Sequence, residues 1–445
     1  MKKIHFVGIG GIGMSALAQL MLDHSAIVTG SDREASSVTK LLEKKGIKVV
    51  VGQKAENVPV DAEMVVYSDA VPADNPERAE VARREIPQKS YFAMLGEVSK
   101  GKKTVAVAGT HGKTTTTGML AKILKDAGAS PTAVVGSIVK DFGLNRSDGA
   151  VGRTDAPSAS VLGSNYLHGD SDIFVVEACE YKDHLLELSP QILVITNLEW
   201  DHTDFFPSLS ALQKTFRKAI ERVPADGAII TDPNNKNIAP LLRQGYAGQA
   251  RIIDYTKEPT YTTRLPGEFN QNNARAAAAA ARVAFPSVTD ESIRASLAAF
   301  HGTWRRFEYK GKNARGADVY DDYAHHPTAV KVTLRALRTK IKGKVYVAFH
   351  PHLYSRTRDL LDEFAVAFAD ADQVFIAPIY AAREVDDGSI SSEMLAERIR
   401  ATGVEAQALD FDAIEEAFKK VGKDDTIITM GAGDIYKVAD KLVKH

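Results

Sequence analysis

Short apolar runs of two to five residues punctuate this chain, each followed by a polar turn and then a longer stretch with apolar positions at helical spacing. The first block opens on Ile4-His-Phe-Val7 and repeats the pattern at Ile27-Val28, Val49-Val50-Val51 and Met64-Val-Val-Tyr67, to about residue 100. The second starts at Val105–Ala108 and predicts later strands at Ile173–Val176, Ile192–Ile195 and Ala228–Ile230, with an Ala-rich helix over Ala274–Phe285. The third predicts strands near Val319-Tyr320, Val345–Phe349, Val374–Ile376 and Thr426–Thr429. The spacers are long enough for helical crossovers, which favours parallel sheets. The pattern therefore predicts an α/β chain of three domains: Rossmann-like over 1–100, P-loop ATPase-type over 101–309, and Rossmann-like again over 310–445. Gly101-Lys-Lys103 reads as a linker. Segment 142–170, rich in Gly, Ser, Asn and Asp, reads as an active-site loop.

Charge narrows the partners. Lys plus Arg number 56 against 57 Asp plus Glu, so no net field draws the chain to nucleic acid or to an anionic membrane. The single cysteine, Cys179, leaves no intramolecular disulfide and suits a reducing compartment. Met1-Lys-Lys runs straight into a strand without the apolar core of a signal peptide, and no apolar stretch approaches a membrane span. The expected location is cytoplasmic.

The sharpest chemical signal is Val105-Ala-Val-Ala-Gly-Thr-His-Gly-Lys-Thr-Thr-Thr-Thr117: strand, glycine turn, Lys-Thr and helix. Such a turn aims backbone N–H groups at an anion, Lys113 adds a point charge, and Thr114 can ligate Mg²⁺. Gly109, Thr110, His111, Gly112, Lys113, Thr114 and Thr115 form the expected phosphate cradle. The general pattern has an earlier glycine where this chain has Val107, so the loop is short. An ordinary glycine turn is the alternative, and it leaves the Lys-Thr pair unexplained.

A second glycine turn, Gly8-Ile-Gly10-Gly11-Ile12-Gly13, also follows a strand and opens a helix, with Ser31 and Asp32 downstream, Asp32 lying 19 residues past Gly13. It fits a pyrophosphate-linked nucleotide, NAD or a UDP-sugar alike, with a purely structural turn as the alternative. Glu177 ends one strand, and Asn197-Leu-Glu-Trp-Asp-His202-Thr-Asp204 follows another; a parallel sheet would bring both to the P-loop edge. Thr114, Glu177 and His202 are then candidate Mg²⁺ ligands. Asp201 and Asp204 suit a metal or the cap of the next helix equally well. His111, His325-His326 and His350-Pro-His352 invite a zinc reading, but one cysteine cannot support a cysteine-rich site, and Cys179 reads as a packing residue. Farther on, Arg305-Arg306 could grip phosphate, Asp321-Asp322 a ribose, and Arg356 a carboxylate. Gly431-Ala-Gly433 marks a close turn.

Taken in order, Val7–Ser15, Asp74-Asn-Pro76, Gly109–Thr115, Asn197–His202, Gly267–Asn273, Arg305–Phe307, Asp321–Thr328 and Gly431–Ile435 resemble the Mur ligase family, the ATP-dependent amino-acid ligases of peptidoglycan synthesis. The resemblance spans essentially the whole chain. It implies that ATP phosphorylates the carboxylate of UDP-N-acetylmuramate and that an amino acid, L-alanine by the stretch His350–Thr357, attacks the acyl phosphate. Lys113, His202, Arg306, Arg356 and His325 would carry catalysis. Asn270, Asn273, Arg306 and Asp322 would join the P-loop around ATP; Gly10, Gly11, Ile12, Gly13, Ser31 and Asp32 would hold the uridine diphosphate. The enzyme would act as a monomer or homodimer. A relative that attaches a whole tripeptide shares the amino-terminal and central motifs, while a nicotinamide dehydrogenase and a non-catalytic nucleotide switch are readings from other classes. Three departures stand out: Ala178-Cys179-Glu180-Tyr181-Lys182 where Ala-Asp-Glu-Ser-Asp is usual, Phe269 where His is usual, and a long 142–170 segment.

Overall fold

Apolar runs flanked by helical spacers become strands covered on both faces, and three parallel sheets result. The structure, a computed structural model, describes residues 2–143, 163–243 and 248–443. The first sheet orders its strands β3-β2-β1-β4-β5, from β1 (Lys3–Val7), β2 (Ile27–Asp32), β3 (Lys48–Val51), β4 (Met64–Tyr67) and β5 (Gln88–Ser90), all parallel. The second contains β6 (Lys103–Ala108), β7 (Thr132–Val139), β8 (Ser164–Leu167), β9 (Ile173–Glu177), β10 (Ile192–Ile195), β11 (Ala228–Thr231) and β12 (Arg251–Asp254). Its order is β12-β11-β10-β6-β9-β7-β8, and only β7 and β8 run antiparallel. The third contains β13 (Glu308–Lys312), β14 (Asp318–Asp322), β15 (Val345–Phe349), β16 (Gln373–Ile376), β17 (Glu405–Ala408) and β18 (Thr426–Met430), in the order β13-β14-β18-β15-β16-β17. Only β13 and β14 are antiparallel there.

The chain forms two compact units. One comprises Met1–Leu198, Gln213–Thr262 and Asn273–His301, with the first two sheets; the other comprises Glu199–Leu212, Thr263–Asn272 and Gly302–His445, with the third. Every expected strand is present. Those the apolar pattern missed include the polar edge strands β5, β13 and β17, which need no continuous apolar run because one side is unpaired. Three expectations need correction. The Ala-rich helix runs Glu268–Ala284, so Asn270 and Asn273 lie within it and do not precede it. Lys103 belongs to β6 and is no linker. Within 142–170, Ser164–Leu167 is a strand, and 144–162 lie outside the described residues.

Within the first unit the two sheets are fixed to each other. The Asn165 amide on β8 donates to Ile12 O and to Ser15 Oγ, in the first turn of the helix Ile12–Asp23, and the Tyr166 hydroxyl donates to Asp23 at its end. On the other side of the junction, the helix Tyr91–Ser99 meets the 3₁₀ segment Tyr181–Glu187 so closely that a side chain at Gly96 would overlap Glu187 O. Phe92 stacks on His184 there, with ring centroids 3.8 Å apart.

A buried polar knot ties the first sheet together. Glu77, on the helix Pro76–Arg83, is fully buried and accepts hydrogen bonds from Ser31 Oγ (2.7 Å), Asn57 Nδ2 (2.8 Å), Lys54 N (3.3 Å) and His5 Nε2 (3.1 Å). Burial pushes its pKa up, but the bonds from His5, Asn57 and Ser31 outweigh burial and hold it below the usual carboxylate range. A buried polar group stripped of its partner is costly. Glu77→Leu should therefore lower unfolding free energy by about 3–5 kcal/mol in urea denaturation. The advantage of wild type over Glu77→Gln should be full near neutral pH and shrink as pH falls below about 4, as the carboxylate takes up its proton.

Candidate active site

The P-loop leaves the carboxyl end of β6, which is flanked by β9 and β10, so the ends of three parallel strands share one sheet edge. Gly109 (φ 126°) and Gly112 (φ 83°) both adopt left-handed backbone, and Gly112 caps the helix Lys113–Asp126. A Cβ at Gly109 would overlap Thr196 Oγ1, and one at Gly112 would overlap Asn273 Oδ1. The loop is held from β10: Thr196 Oγ1 and Asn197 Nδ2 donate to His111 O (2.6 and 3.0 Å), and His111 N donates to Asn197 Oδ1 (2.9 Å). Thr116 Oγ1 donates to Asn273 Oδ1 (3.2 Å). Thr110 and Thr115 are buried within this turn.

Lys113 Nζ donates to Gly109 O (2.6 Å) and pairs with both oxygens of Glu180 at 3.0 Å. Burial works against the ammonium, but attraction to Glu180 prevails and the Lys113 pKa is raised. Sequence reasoning missed Glu180, which is 1% exposed. It lies in the unusual 178–182 segment, where Lys182 and Asp183 are both left-handed (φ 52° and 61°) and Asp183 N donates back to Glu180 O (3.0 Å). Its sequence signals were a second acid three residues past the strand-end acid Glu177, and its match to the Glu of the usual Ala-Asp-Glu-Ser-Asp.

Glu177 ends β9 opposite Val107. Its Oε1 accepts from Thr114 Oγ1 (3.0 Å) and its Oε2 from Gly136 N (2.8 Å). A hydroxyl and a carboxylate within 3.0 Å, fixed from behind by a backbone N–H, form the hard-oxygen donor set that Mg²⁺ prefers. Two of the three expected ligands are thus adjacent. His202 belongs to the second unit, has φ 53°, and donates its N–H to Asp201 Oδ1 (2.6 Å). Cys179 is a half-buried free thiol, and burial pushes its pKa up to about 12.

At the first glycine turn, Asp32 Oδ2 accepts from Gly10 N (2.8 Å), so its carboxylate clamps the loop that it follows. Ser31 O accepts from Gly8 N and Ile9 N (both 2.9 Å), while the Ser31 hydroxyl is fully buried on Glu77. Gly11 caps the helix Ile12–Asp23 without a side chain, and the helix begins at Ile12 and Gly13.

In the second unit the paired arginines separate. Arg305 is buried and donates to Asp321 Oδ2 (2.8 Å), Gly433 O (2.9 Å) and Gly431 O (2.7 Å), pinning the 431–433 turn; the Arg306 guanidinium lies 4.7 Å from the centre of the Tyr323 ring. Asp322 accepts from Phe307 N (2.6 Å) and Ala324 N (2.7 Å), and burial raises its pKa to about 6. Asn270 donates to Pro266 O (2.7 Å). Arg356 is 1% exposed; it donates to Asp201 Oδ1 (2.8 Å) and to His352 Nδ1 (3.0 Å). Burial opposes the Asp201 charge, but the Arg356 guanidinium holds its pKa well below the usual range. Asp204 pairs with Arg383 (2.9 Å), so neither Asp201 nor Asp204 caps the next helix; Ser208 accepts from Ala211 N there. Burial and then Arg356 push His325 well below the ordinary imidazole value, and His352 falls to about 3 for the same reasons. His325 Nδ1 lies 2.9 Å from Tyr323 O.

Comparison with known proteins bears on this arrangement. Residues 3–103 match the model of the Mur ligase family, catalytic domain, 107–261 the Mur ligase middle domain, and 305–433 the Mur ligase, glutamate ligase domain. A UDP-N-acetylmuramate–L-alanine ligase of Acetivibrio thermocellus is 38% identical over 100% of this chain and 96% of its own length. One from Clostridium botulinum is 37% identical over 99% and 97%. Among solved structures, UDP-N-acetylmuramate–alanine ligase from Thermotoga maritima superposes with a TM-score of 0.77 at 28% identity, covering 100% of this chain and 98% of that one. A murein peptide ligase from Psychrobacter arcticus gives 0.72 at 25%, with the same coverage.

His350 supplies a pH test of the second unit. It is 4% exposed, its Nδ1 has no hydrogen-bond partner among the described residues, and burial lowers its pKa to about 4. The unfolded chain therefore protonates this imidazole first, and stability falls as pH drops from about 6.5 towards 4. His350→Gln should flatten that limb by about 1–3 kcal/mol in unfolding free energy measured across the window.

Proposed function

Because the chain belongs to the Mur ligase family, we propose that it joins L-alanine to the carboxylate of UDP-N-acetylmuramate with cleavage of ATP to ADP and phosphate. The observation that carries this reading is Lys113, Thr114 and Glu177 gathered at one sheet edge, in a chain that alanine ligases match from end to end. The domain roles follow: nucleotide-sugar binding over 1–100, ATP binding over 101–309 and amino-acid binding over 310–445. The protein would work in the cytoplasm as a monomer or homodimer; no helix among the described residues is long and apolar enough to cross a membrane.

A carboxylate resists amine attack because its charge repels the nucleophile and oxide is a poor leaving group. Phosphoryl transfer from ATP gives an acyl phosphate, and the neutral amine of alanine then displaces phosphate. Lys113, kept protonated by Glu180, would offset charge on the transferring phosphoryl group. Asn273, packed against Gly112, would border the nucleotide, and Asn270, Asp322 and Arg306 would also bind ATP. Thr114, Glu177 and His202 would hold Mg²⁺, which when bound offsets phosphate charge. Gly10 to Gly13 with Ser31 and Asp32 would hold the uridine diphosphate, Asp32 by fixing the loop and Ser31 through its backbone. Arg356 would face the alanine carboxylate, with His325, held neutral, beside it.

Phosphate release with ATP, Mg²⁺ and UDP-N-acetylmuramate tests the proposal. Release should depend on L-alanine and yield a product heavier by one alanyl residue. Release with the tripeptide alone would reassign the acceptor, and no release with either would sink the ligase reading. Lys113→Met should lower kcat by roughly 10²-fold or more, and Glu177→Gln should raise the Mg²⁺ concentration needed for half-maximal rate.

A further inference from the structure

The third glycine of a Gly-x-Gly-x-x-Gly turn ordinarily lets helix and strand pack closely. Gly13 makes room for something else. A Cβ built there would stand 2.7 Å from Tyr91 Cζ and 2.8 Å from Tyr91 Oη. The Tyr91 hydroxyl therefore lies against the first turn of the helix Ile12–Asp23, whose free N–H groups favour anions.

Tyr91 is held there from several sides. It begins the helix Tyr91–Ser99, capped by Ser90 Oγ accepting from Ala93 N (3.2 Å). Its ring meets Phe92 edge-on at 4.8 Å, and Phe92 is in turn stacked on His184. Among the described residues no hydrogen bond involves its hydroxyl, so packing and not polar bonding accounts for its position within the protein. Burial, with the Glu177 carboxylate and Cys179 nearby, raises its pKa, so the phenol stays an O–H donor through the physiological range. A neutral donor beside an anion-favouring helix end, on the side that feels Glu177, matches one part of an extended nucleotide-sugar: the phosphate nearest the sugar.

We propose that the Tyr91 hydroxyl is a binding contact for the sugar-proximal phosphate of a nucleoside-diphosphate-sugar substrate, donating its hydrogen to a phosphate oxygen. The assignment rests on the proposed function of the first glycine turn and adds to it a residue from a different helix. It also gives Gly13 a second reason to be glycine, since a larger residue would displace the phenol.

Tyr91→Phe keeps the ring against Gly13 and removes only the donor. Calorimetric titration of wild type and variant with UMP, UDP, UDP-N-acetylglucosamine and UDP-N-acetylmuramate separates the alternatives. UMP, which lacks the second phosphate, should bind both proteins equally. The three diphosphate ligands should bind the variant roughly tenfold more weakly, the usual scale for a hydrogen bond to a charged acceptor. KM for ATP and the thermal midpoint should not change. Equal affinity of both proteins for UDP would overturn the contact. A loss confined to UDP-N-acetylmuramate would move it to the acid arm and overturn the phosphate assignment. If wild type itself bound none of the four, the reading of the first glycine turn would fail, a result distinct from failure of Tyr91 alone.

Discussion

A lysine ammonium inside a protein loses solvation and is pressed to give up its proton. Lys113 is under that pressure, and much of the first unit is arranged so that it stays charged. The counter-charge comes from Glu180, itself buried, so each group justifies the other. Just beyond Glu180, Lys182 and Asp183 take left-handed backbone that costs energy in non-glycine residues, and Asp183 N donates back to Glu180 O. Gly109 turns its carbonyl onto the same ammonium, and the end of β10 clamps His111. These groups converge because β9, β6 and β10 are adjacent and parallel, so their carboxyl ends share an edge.

The second unit handles buried charge the other way. Arg356 cannot shed its proton, so its neighbours adjust: Asp201 stays ionised as its partner, while His325 and His352 remain neutral. Burial and this fixed cation together keep the two imidazoles neutral, and the cation keeps Asp201 charged against burial. Arg305 plays a comparable structural part at the 431–433 turn, where two carbonyls and Asp321 receive its guanidinium. Adjacent arginines in the sequence therefore have unlike surroundings, since Arg305 is sequestered in the fold and Arg306 is placed over Tyr323.

What could be read from sequence was what repeats locally. Central strands such as β1, β6 and β15 are apolar along their length because both faces are covered, and glycine turns announce themselves by spacing. The family followed from the order of the motifs. Partnerships between distant positions were silent: Lys113 with Glu180, His5 with Glu77, Asp201 with Arg356. Nothing near Glu77 in the chain distinguishes it from a surface acid that follows a helix-starting proline; only the fold brings four donors to it. The polar edge strands β5, β13 and β17 were missed for the reverse reason. Half solvated, they carry no apolar signature, as Glu308-Tyr-Lys-Gly-Lys312 shows.

The glycines connect the two kinds of information. Gly13 adjoins the Tyr91 phenol, Gly112 the Asn273 amide, Gly136 the Glu177 carboxylate and Gly433 the His350 ring, and in each case a Cβ would intrude on a polar group from another element. Sequence shows such a glycine as a turn signal. In the fold it is also a bare stretch of backbone against which a functional side chain rests. A polar group braced by main chain has few alternative rotamers, so little ordering remains to be done when a ligand arrives. Replacing any of these glycines would thus displace a polar side chain, and at Gly112 (φ 83°) it would strain the backbone as well. The constraint that shapes the turns is therefore the same one that positions the side chains facing them.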